Sequence, residues 1–188
     1  YASAPRDVGE FTTLDVALQS NTAIVREATG SGSVGSLAVE NRGSVSILIL
    51  GGTVVKGGKQ DRQIGQDVII SAGATVNVKV FCVEQSRWTP SRDGHETGGR
   101  FTTAGTLAPS TVRGAGQYGG NQGAVWSEVA QINAAFGKVT GTGTLLATLE
   151  DGEFQRRREP VVRTITSGLD ISASAELIVG MGYAVDGN

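Results

Sequence analysis

Alternation of apolar and polar residues is the strongest pattern in the first half of the chain, and it predicts β-strands. Residues 22–28 and 34–40 alternate on either side of Gly30-Ser31-Gly32-Ser33, as the two strands of a hairpin with a glycine-serine turn do. Residues 45–50 are apolar on both faces over most of their length, which is typical of a central strand covered from two sides. Antiparallel β structure is therefore expected here.

A second hairpin and a short helix complete the elements predicted in this half. Residues 68–70 and 74–84 have strand character and are separated by Ser71-Ala72-Gly73. Residues 12–18 instead offer a hydroxyl N-cap, an acidic residue in the first turn and apolar positions at helical spacing. We expect this helix to follow an N-terminal extension, residues 1–11.

The second half of the chain is less regular. Residues 86–123 lose all periodicity and are rich in glycine, serine, threonine and arginine, which predicts a long irregular loop. Residues 125–136 have helical spacing and are followed by Gly137, a natural helix stop. The apolar residues that share one face of this helix are Val125, Val129, Ile132 and Phe136. Strand character returns in residues 139–149, 153–166 and 174–185.

These elements predict one mainly β domain over residues 1–188, with sandwich-like mixed or antiparallel sheets, two short helices and a long glycine-rich loop. Sixteen basic and eighteen acidic residues give a net charge of −2 without a single-sign block, which argues against nucleic acid as a partner. No apolar run approaches the roughly 18 residues needed to span a bilayer, so membrane insertion is not expected.

Cysteine and histidine content limits the sites that the chain can form. Cys82 is the only cysteine and His95 the only histidine, which excludes an internal disulfide and a multi-cysteine metal site. A Cys82–His95 nucleophile pair would require the fold to bring a core-facing thiol to a loop histidine. Asp93 and Glu96 add too few strong ligands for zinc. We expect neither a metal nor a cofactor.

The composition also bears on location. The chain starts at Tyr1-Ala2-Ser3-Ala4-Pro5, without an initiator Met or a signal peptide. Low lysine content beside abundant glycine, serine, threonine and alanine favours export. We therefore expect a secreted or cell-surface protein, and a cytoplasmic location stays open.

Two short polar segments concentrate the chemistry of the chain. Residues 57–62 read Gly-Gly-Lys-Gln-Asp-Arg, and residues 82–88 read Cys-Val-Glu-Gln-Ser-Arg-Trp. Strand alternation places Glu84 at the end of a core-facing row, where a desolvated carboxylate needs a cation or several donors. The candidate cations are Lys59, Arg62 and Arg87. Trp88 can form a rigid wall or stack on a guanidinium.

Three interpretations of this cluster stay open. Arg62 or Arg87 locks Glu84 as a structural ion pair, or the cluster binds a small polar or anionic ligand, or Glu84 is the acid or base of an enzyme. The residues assigned to the cluster are Lys59, Gln60, Asp61, Arg62, Glu84, Arg87 and Trp88. The sequence favours a non-catalytic binding or structural module, with the enzyme as the alternative.

In this order, the segments Lys56 to Arg62 and Cys82 to Trp88 resemble the signature of a bacterial family named for genomic association with ADP-ribosylglycohydrolase and rhodanese-phosphatase proteins. The resemblance covers residues 12–90, and it continues more loosely through residues 122–126 and 180–187. It implies no particular reaction. The residues that it implies to matter together are Lys59, Gln60, Arg62, Glu84, Arg87 and Trp88.

The C-terminal residues predict self-association. Val185-Asp186-Gly187 is a hairpin-turn signal, and members resembling this pattern continue into another apolar segment, whereas this chain stops at Asn188. The strand at residues 178–185 would then carry an unpaired edge that a neighbouring copy could fill. We expect the partner to be a second copy, in an oligomer or filament, or another protein.

Two further motifs have plain structural interpretations. Gly114-Ala115-Gly116-Gln117-Tyr118-Gly119 fits a dinucleotide-binding fingerprint, but no parallel β-α-β unit surrounds it, and a mobile glycine loop is predicted instead. Arg156-Arg157-Arg158 is predicted to alternate across a strand as a solvated edge.

Overall fold

The computed structural model describes residues 9–28, 33–92 and 94–167, which fall into two compact units. The first unit is Glu10–Leu149, and the second includes the last helix. The strands are β1 Phe11–Thr13, β2 Ala23–Glu27, β3 Ser36–Asn41, β4 Ser46–Ile49, β5 Thr53–Gly57, β6 Arg62–Ile64, β7 Val68–Ile70, β8 Thr75–Cys82, β9 Ser91–Arg92, β10 His95–Glu96 and β11 Arg100–Leu107. The helices are α1 Leu14–Gln19, α2 Ser110–Gln117, α3 Gln122–Ala135, α4 Leu146–Leu149 and α5 Gly152–Ser167.

Six strands of the first unit form a closed barrel in the order β11-β2-β3-β8-β6-β5. The mainly β prediction is confirmed, but the sheet closes on itself where the sequence predicted a sandwich. The closing strand is β11, because Phe101 pairs with Val25 of β2 on one side and with Gly57 of β5 on the other. Because β11 pairs with both β2 and β5 at Phe101, neither of these strands has an unpaired edge there.

The strand β11 comes from the segment predicted to be irregular. Residues 86–123 therefore do not form one long loop, since they also contain β9, β10 and α2. Phe101 is the only large apolar side chain at the start of β11, and it is buried in the barrel core. Its neighbours in the strand are mostly threonine and glycine, which give a weak apolar alternation.

Rows of apolar residues fill the barrel interior. The fully buried members include Val25, Leu37, Val55, Ile64 and Val80. Burying side chains of this size contributes about 1.5–3 kcal/mol each to stability. The hairpin predicted for residues 22–28 and 34–40 is confirmed as the antiparallel pair β2–β3.

A separate three-stranded sheet contains β1, β4 and β7, with β4 at its centre as predicted. The hairpin predicted from residues 68–70 and 74–84 is wrong, because β7 pairs with β4 and not with β8. The turn closed by the Ala74 N–H donating to the Ser71 carbonyl carries the chain from this sheet into the barrel. The predicted helix α1 is confirmed, and the Thr13 hydroxyl caps it by accepting from the Val16 N–H.

The helix α2 occupies residues predicted to be a mobile glycine loop, so that prediction is also wrong. Helix propensity alone disfavours two internal glycines. At Gly116, however, an added Cβ would lie 2.6 Å from Nε2 of Gln63 and 2.9 Å from Cδ2 of Phe81. The missing side chain lets the helix approach the barrel closely, and this packing outweighs propensity.

The predicted helix α3 is confirmed, although its buried face differs. Val125, Val129 and Asn133 are buried, so the inner row follows a four-residue spacing and leaves Ile132 partly exposed. The first residue of α3, Gln122, bonds to both backbone polar atoms of Cys82. Its Nε2 donates to the Cys82 carbonyl at 2.8 Å, and the Cys82 N–H donates to its Oε1 at 2.8 Å.

Residues 139–149 and 153–166 were predicted to be strands, and this is wrong. They contain loop segments and the helices α4 and α5, so Arg156-Arg157-Arg158 lies on a helix. Arg157 donates to Glu153 at 2.5 Å and Arg163 to Glu159 at 2.6 Å, and both pairs have the four-residue spacing that supports a helix. The predicted strand 174–185 lies outside the described residues. Among the helices that the structure describes, none has the length and apolarity to cross a membrane.

Candidate functional site

One end of the barrel collects polar side chains that point inward. Because Val25, Ile64 and Val80 line the core, the residues two positions away on the same strands, toward this end of the barrel, face the same interior. Those residues are Glu27, Arg62 and Cys82. They lie where β2 and β8 end and β6 begins, and Arg62 and Cys82 are direct cross-strand partners.

Asp61 is the centre of a buried ionic network beside this end of the barrel. Its side chain is 0% exposed. Its carboxylate accepts from Arg92 Nη1 at 2.7 and 2.8 Å, from the Thr144 hydroxyl at 2.8 Å and from the Gly57 N–H at 3.1 Å. We call this network the Asp61 cluster, and its members are Asp61, Glu84, Arg87, Arg92 and Thr144.

Arg87 is the most fully bonded member of the Asp61 cluster. Its Nε donates to Glu84 Oε2 at 2.9 Å, and its Nη2 lies 2.8 Å from the same oxygen. The two Nη groups also donate to the carbonyls of Gly57, Gly58 and Thr89, at 2.8–3.0 Å. A planar guanidinium with this many carbonyl partners fixes the path of two loops.

Glu84 is therefore locked by Arg87, and not by Arg62. The residue is 2% exposed, and its Oε2 accepts from the Asp61 N–H at 2.9 Å in addition to Arg87. Both hydrogen bonds go to the same carboxylate oxygen, and together they hold the Glu84 side chain in one orientation. The geometry matches the interpretation of an ion pair that ties two loops together.

The surroundings of Asp61 act on its pKa in two opposite directions. Burial raises the pKa of Asp61 above its ordinary value, and the nearby Glu84 carboxylate raises it further. Arg92, Thr144 and the Gly57 N–H act on the pKa of Asp61 in the opposite direction, since each favours the ionised carboxylate.

Arg62 has a different environment. It is 0% exposed, and its Nη1 donates to Gln60 Oε1 at 3.1 Å. Its Nε and Nη2 are buried and have no hydrogen-bond partner among the residues that the structure describes. Burial lowers the pKa of Arg62, and the nearby Cys82 and Glu27 partly offset that effect. The Arg62 guanidinium is thus desolvated and only partly bonded.

Glu27 brings a matching acceptor to the same interior. Its Oε1 accepts from the Lys59 N–H at 3.0 Å, whereas its Oε2 is buried and has no hydrogen-bond partner in the described ranges. Burial raises the pKa of Cys82, and Arg62 and Glu27 both act on it as well, in opposite directions. Glu27, Arg62 and Cys82 therefore share one electrostatic environment.

Trp88 covers Arg62. The Arg62 Cζ lies 5.5 Å from the centre of the Trp88 ring, and the Lys59 Nζ lies 5.4 Å from it, both within the range of cation–π attraction. Trp88 is 43% exposed, so its ring lies between the buried guanidinium and solvent. We call Glu27, Lys59, Arg62, Cys82 and Trp88 the Arg62 site.

Gly58 makes the approach of Glu27 to this turn sterically feasible. It has a φ of +45°, which favours glycine. An added Cβ would lie 2.1 Å from Cζ of Phe101 and 2.9 Å from Glu27 Oε1. A side chain at position 58 would therefore displace one wall of the Arg62 site.

The sequence-predicted residues divide between these two groups. Asp61, Glu84 and Arg87 belong to the Asp61 cluster, whereas Lys59, Arg62 and Trp88 belong to the Arg62 site and Gln60 bonds to Arg62. Sequence reasoning missed Arg92, Thr144 and the role of Glu27. The signal for Glu27 was present, since it ends a core-facing row just as Glu84 was argued to do.

Cys82 and His95, weighed above as a nucleophile pair, have different environments. Cys82 lies inside the barrel, where its Sγ donates to the Val34 carbonyl at 3.7 Å, whereas His95 is exposed on β10. Within the described ranges, no group of histidine, cysteine, aspartate and glutamate side chains could hold a metal ion.

Comparison with known proteins places the chain in a family. A family model described as ARPP-1, ARG and Rhodanese-Phosphatase-superfamily-associated Protein domain, matches residues 2–188. No curated protein and no solved structure matches the chain. The matched span includes both polar segments and almost the whole sequence, and it agrees with the family indicated by the two motifs. The chain belongs to the ARPP-1 family.

Proposed function

We propose that this protein is a non-catalytic binding module whose barrel end holds a small anionic ligand at Arg62. The observation that carries the proposal is the state of the guanidinium, which is fully buried and whose Nε and Nη2 have no hydrogen-bond partner in the part of the chain that the structure describes. A buried unsatisfied polar group costs about 1–3 kcal/mol, and more when it is charged. An oxyanion would offset this cost, because the Nε–Nη2 edge of arginine binds two oxygens side by side.

Access to Arg62 is through Trp88. The ring belongs to an irregular segment between β8 and β9, so it can rotate without breaking a helix or strand. Its attraction to Arg62 and Lys59 holds the closed position at a modest energy, about 0.5–2 kcal/mol for each cation–π contact. A ligand that bonds to Arg62 would replace one of these contacts.

The Asp61 cluster would then serve as the rigid support of the binding site. Arg87 precedes Trp88, and Asp61 precedes Arg62, so fixing the first residue of each pair fixes the second. Buried charge networks with this many hydrogen bonds hold loop geometry well, whether or not they add net stability. This division of labour supports binding and gives Glu84 a structural role.

The test is titration calorimetry of the full chain with phosphate, sulfate and acetate. We expect at least one oxyanion to bind, and Arg62→Met to weaken that binding at least tenfold. Arg42→Met is the matched control, because Arg42 is an exposed arginine that pairs with Glu40. Binding that is unchanged in Arg62→Met, with thermal unfolding showing both variants folded, would contradict the proposal.

Self-association and export stay predictions of the sequence. The edge expected at residues 178–185 lies outside the described residues, so the support for a self-assembling subunit is the sequence pattern. Mass photometry of the full chain tests it, and a monomer at micromolar concentration would contradict it. An enzymatic role for Glu84 likewise stays the alternative, and the Glu84→Gln variant described below addresses it.

A further inference from the structure

We infer that the ligand of the Arg62 site is an oxyanion that carries a proton, namely a hydrogen phosphate or a phosphate monoester, and that Glu27 makes the site reject sulfate. This inference rests on the proposed function and deepens it. It starts from three buried atoms that have no hydrogen-bond partner within residues 9–28, 33–92 and 94–167, which are Nε and Nη2 of Arg62 and Oε2 of Glu27.

Donor and acceptor chemistry defines what can bridge these atoms. Arg62 can only donate, and an ionised Glu27 can only accept. The two groups interact electrostatically but do not form a hydrogen bond to each other, so they are not a hydrogen-bonded ion pair. A group placed between them must offer oxygens to Arg62 and a hydrogen to Glu27. A protonated phosphate oxygen does both, whereas sulfate has no proton to donate at neutral pH.

The charges around the site favour a singly charged ligand. In the Asp61 cluster the carboxylates of Asp61 and Glu84 are balanced by the guanidiniums of Arg87 and Arg92. Inside the barrel the carboxylate of Glu27 opposes the charge of Arg62. A dianion would meet the Glu27 carboxylate without a proton between them, and that repulsion discriminates against it.

Inorganic phosphate and a phosphate monoester share this chemistry, and titration can separate them. We would titrate the full chain with inorganic phosphate, methyl phosphate and sulfate at constant ionic strength and at pH 6. The expected result is that a phosphate species binds at least tenfold more tightly than sulfate. Tighter binding of methyl phosphate assigns the site to monoesters, and tighter binding of inorganic phosphate assigns it to the free ion.

Glu27→Gln is the decisive variant. The amide retains an oxygen that can accept from the Lys59 N–H, so the local fold is preserved, and its NH₂ group can donate to an unprotonated anion. We expect this variant to bind sulfate and phosphate with affinities within threefold of each other. A phosphate preference that is unchanged in Glu27→Gln overturns the inference.

A second measurement needs no variant. A phosphate monoester loses its second proton near pH 6, so its binding to the native chain should weaken at least tenfold between pH 5.5 and pH 8, while any sulfate binding changes less. Equal binding of sulfate and phosphate would overturn the role of Glu27 and leave the anion site standing. Failure of all three anions to bind would instead overturn the proposed function itself.

Discussion

The backbone N–H of Asp61 donates to the Glu84 carboxylate at 2.9 Å, and the two buried carboxylates share the guanidinium of Arg87. Two segments of the chain, around residues 57–62 and 82–88, are held together by this contact. Neither carboxylate could be buried alone, because an unpaired charge in a protein interior is strongly destabilising.

Neutralising Glu84 should therefore lower stability. In Glu84→Gln the carboxylate that compensates Arg87 is lost, and we expect the free energy of unfolding to fall by about 2–3 kcal/mol. Urea unfolding measures this change. Glu159→Gln is the control, because Glu159 forms an exposed pair on α5 and should change stability by less than about 0.5 kcal/mol.

The same variant separates the two roles of Glu84. An ion-pair anchor predicts lost stability, whereas a catalytic carboxylate predicts lost activity in a protein of normal stability and assembly. A Glu84→Gln protein with native stability and native ligand binding would remove both roles.

The charged interior of the barrel should be dispensable for folding. The double variant Glu27→Gln with Arg62→Met removes a desolvated guanidinium and the ionised carboxylate beside it. Replacing buried charges by well-packed apolar groups of similar volume is often neutral or stabilising, and the amide at position 27 keeps an oxygen for the Lys59 N–H, so we expect the free energy of unfolding to stay within about 1 kcal/mol of the native value or to rise. A loss of more than about 1 kcal/mol in urea unfolding would mark Arg62 as a structural residue and contradict the proposed function.

The two glycines within α2 should respond oppositely to alanine. An added Cβ at Gly114 meets nothing within 4 Å, so Gly114→Ala should stabilise the protein by about 0.5–1 kcal/mol through helix propensity. Gly116→Ala would press on Gln63 and Phe81 and should destabilise the protein by about 1–3 kcal/mol. Thermal unfolding of the two variants, measured side by side, checks the pair, and equal shifts would contradict the close packing of α2.

Cys82 should react slowly with thiol reagents. Burial raises the pKa of its thiol, so less thiolate is present near neutral pH than for an ordinary cysteine, and the side chain is not exposed. We expect iodoacetamide to label the native chain at least a hundredfold more slowly than the unfolded chain.

Trp88→Ala should accelerate that labelling if the barrel end opens where Trp88 covers it. Tyr118→Ala is the control, because this aromatic ring is 85% exposed and lies outside the Arg62 site. Equal labelling rates in both variants would show that Cys82 is reached by another route.

Local patterns account for the parts of the fold that the sequence predicted. The β2–β3 hairpin and α1 depend on neighbouring residues, and both are confirmed. Barrel closure depends on Phe101 pairing with Gly57 and Val25, which are distant in sequence, and a threonine-rich strand gives little sign of such pairing. The helix α5 was missed because its β-branched residues favour a strand, although its charged pairs at four-residue spacing indicate a helix.

In the candidate site too, the sequence predicts the local features, whereas the contacts between distant residues depend on the fold. The polar segments at residues 57–62 and 82–88 are enough to group Lys59, Arg62, Glu84, Arg87 and Trp88, but they do not show which of these side chains pair. Whether Arg62 or Arg87 neutralises Glu84 is decided by the direction of each side chain at the barrel end. The other partners of Asp61 come from Arg92 and Thr144, and only the folded chain brings these together.

Two hydrogen bonds between the Gln122 side chain and the Cys82 backbone attach α3 to the end of β8, and neither bond involves the Cys82 side chain. Both bonds go to the backbone of Cys82, so any residue except proline at that position could keep them, whereas Gln122→Glu would replace the donating amide with a second acceptor. The amide hydrogen of Cys82 should consequently exchange with deuterium as slowly as those in the middle of β8. The end of β8 would then open as rarely as its middle, although Gln122 of α3, and not a neighbouring strand, supplies these two hydrogen bonds.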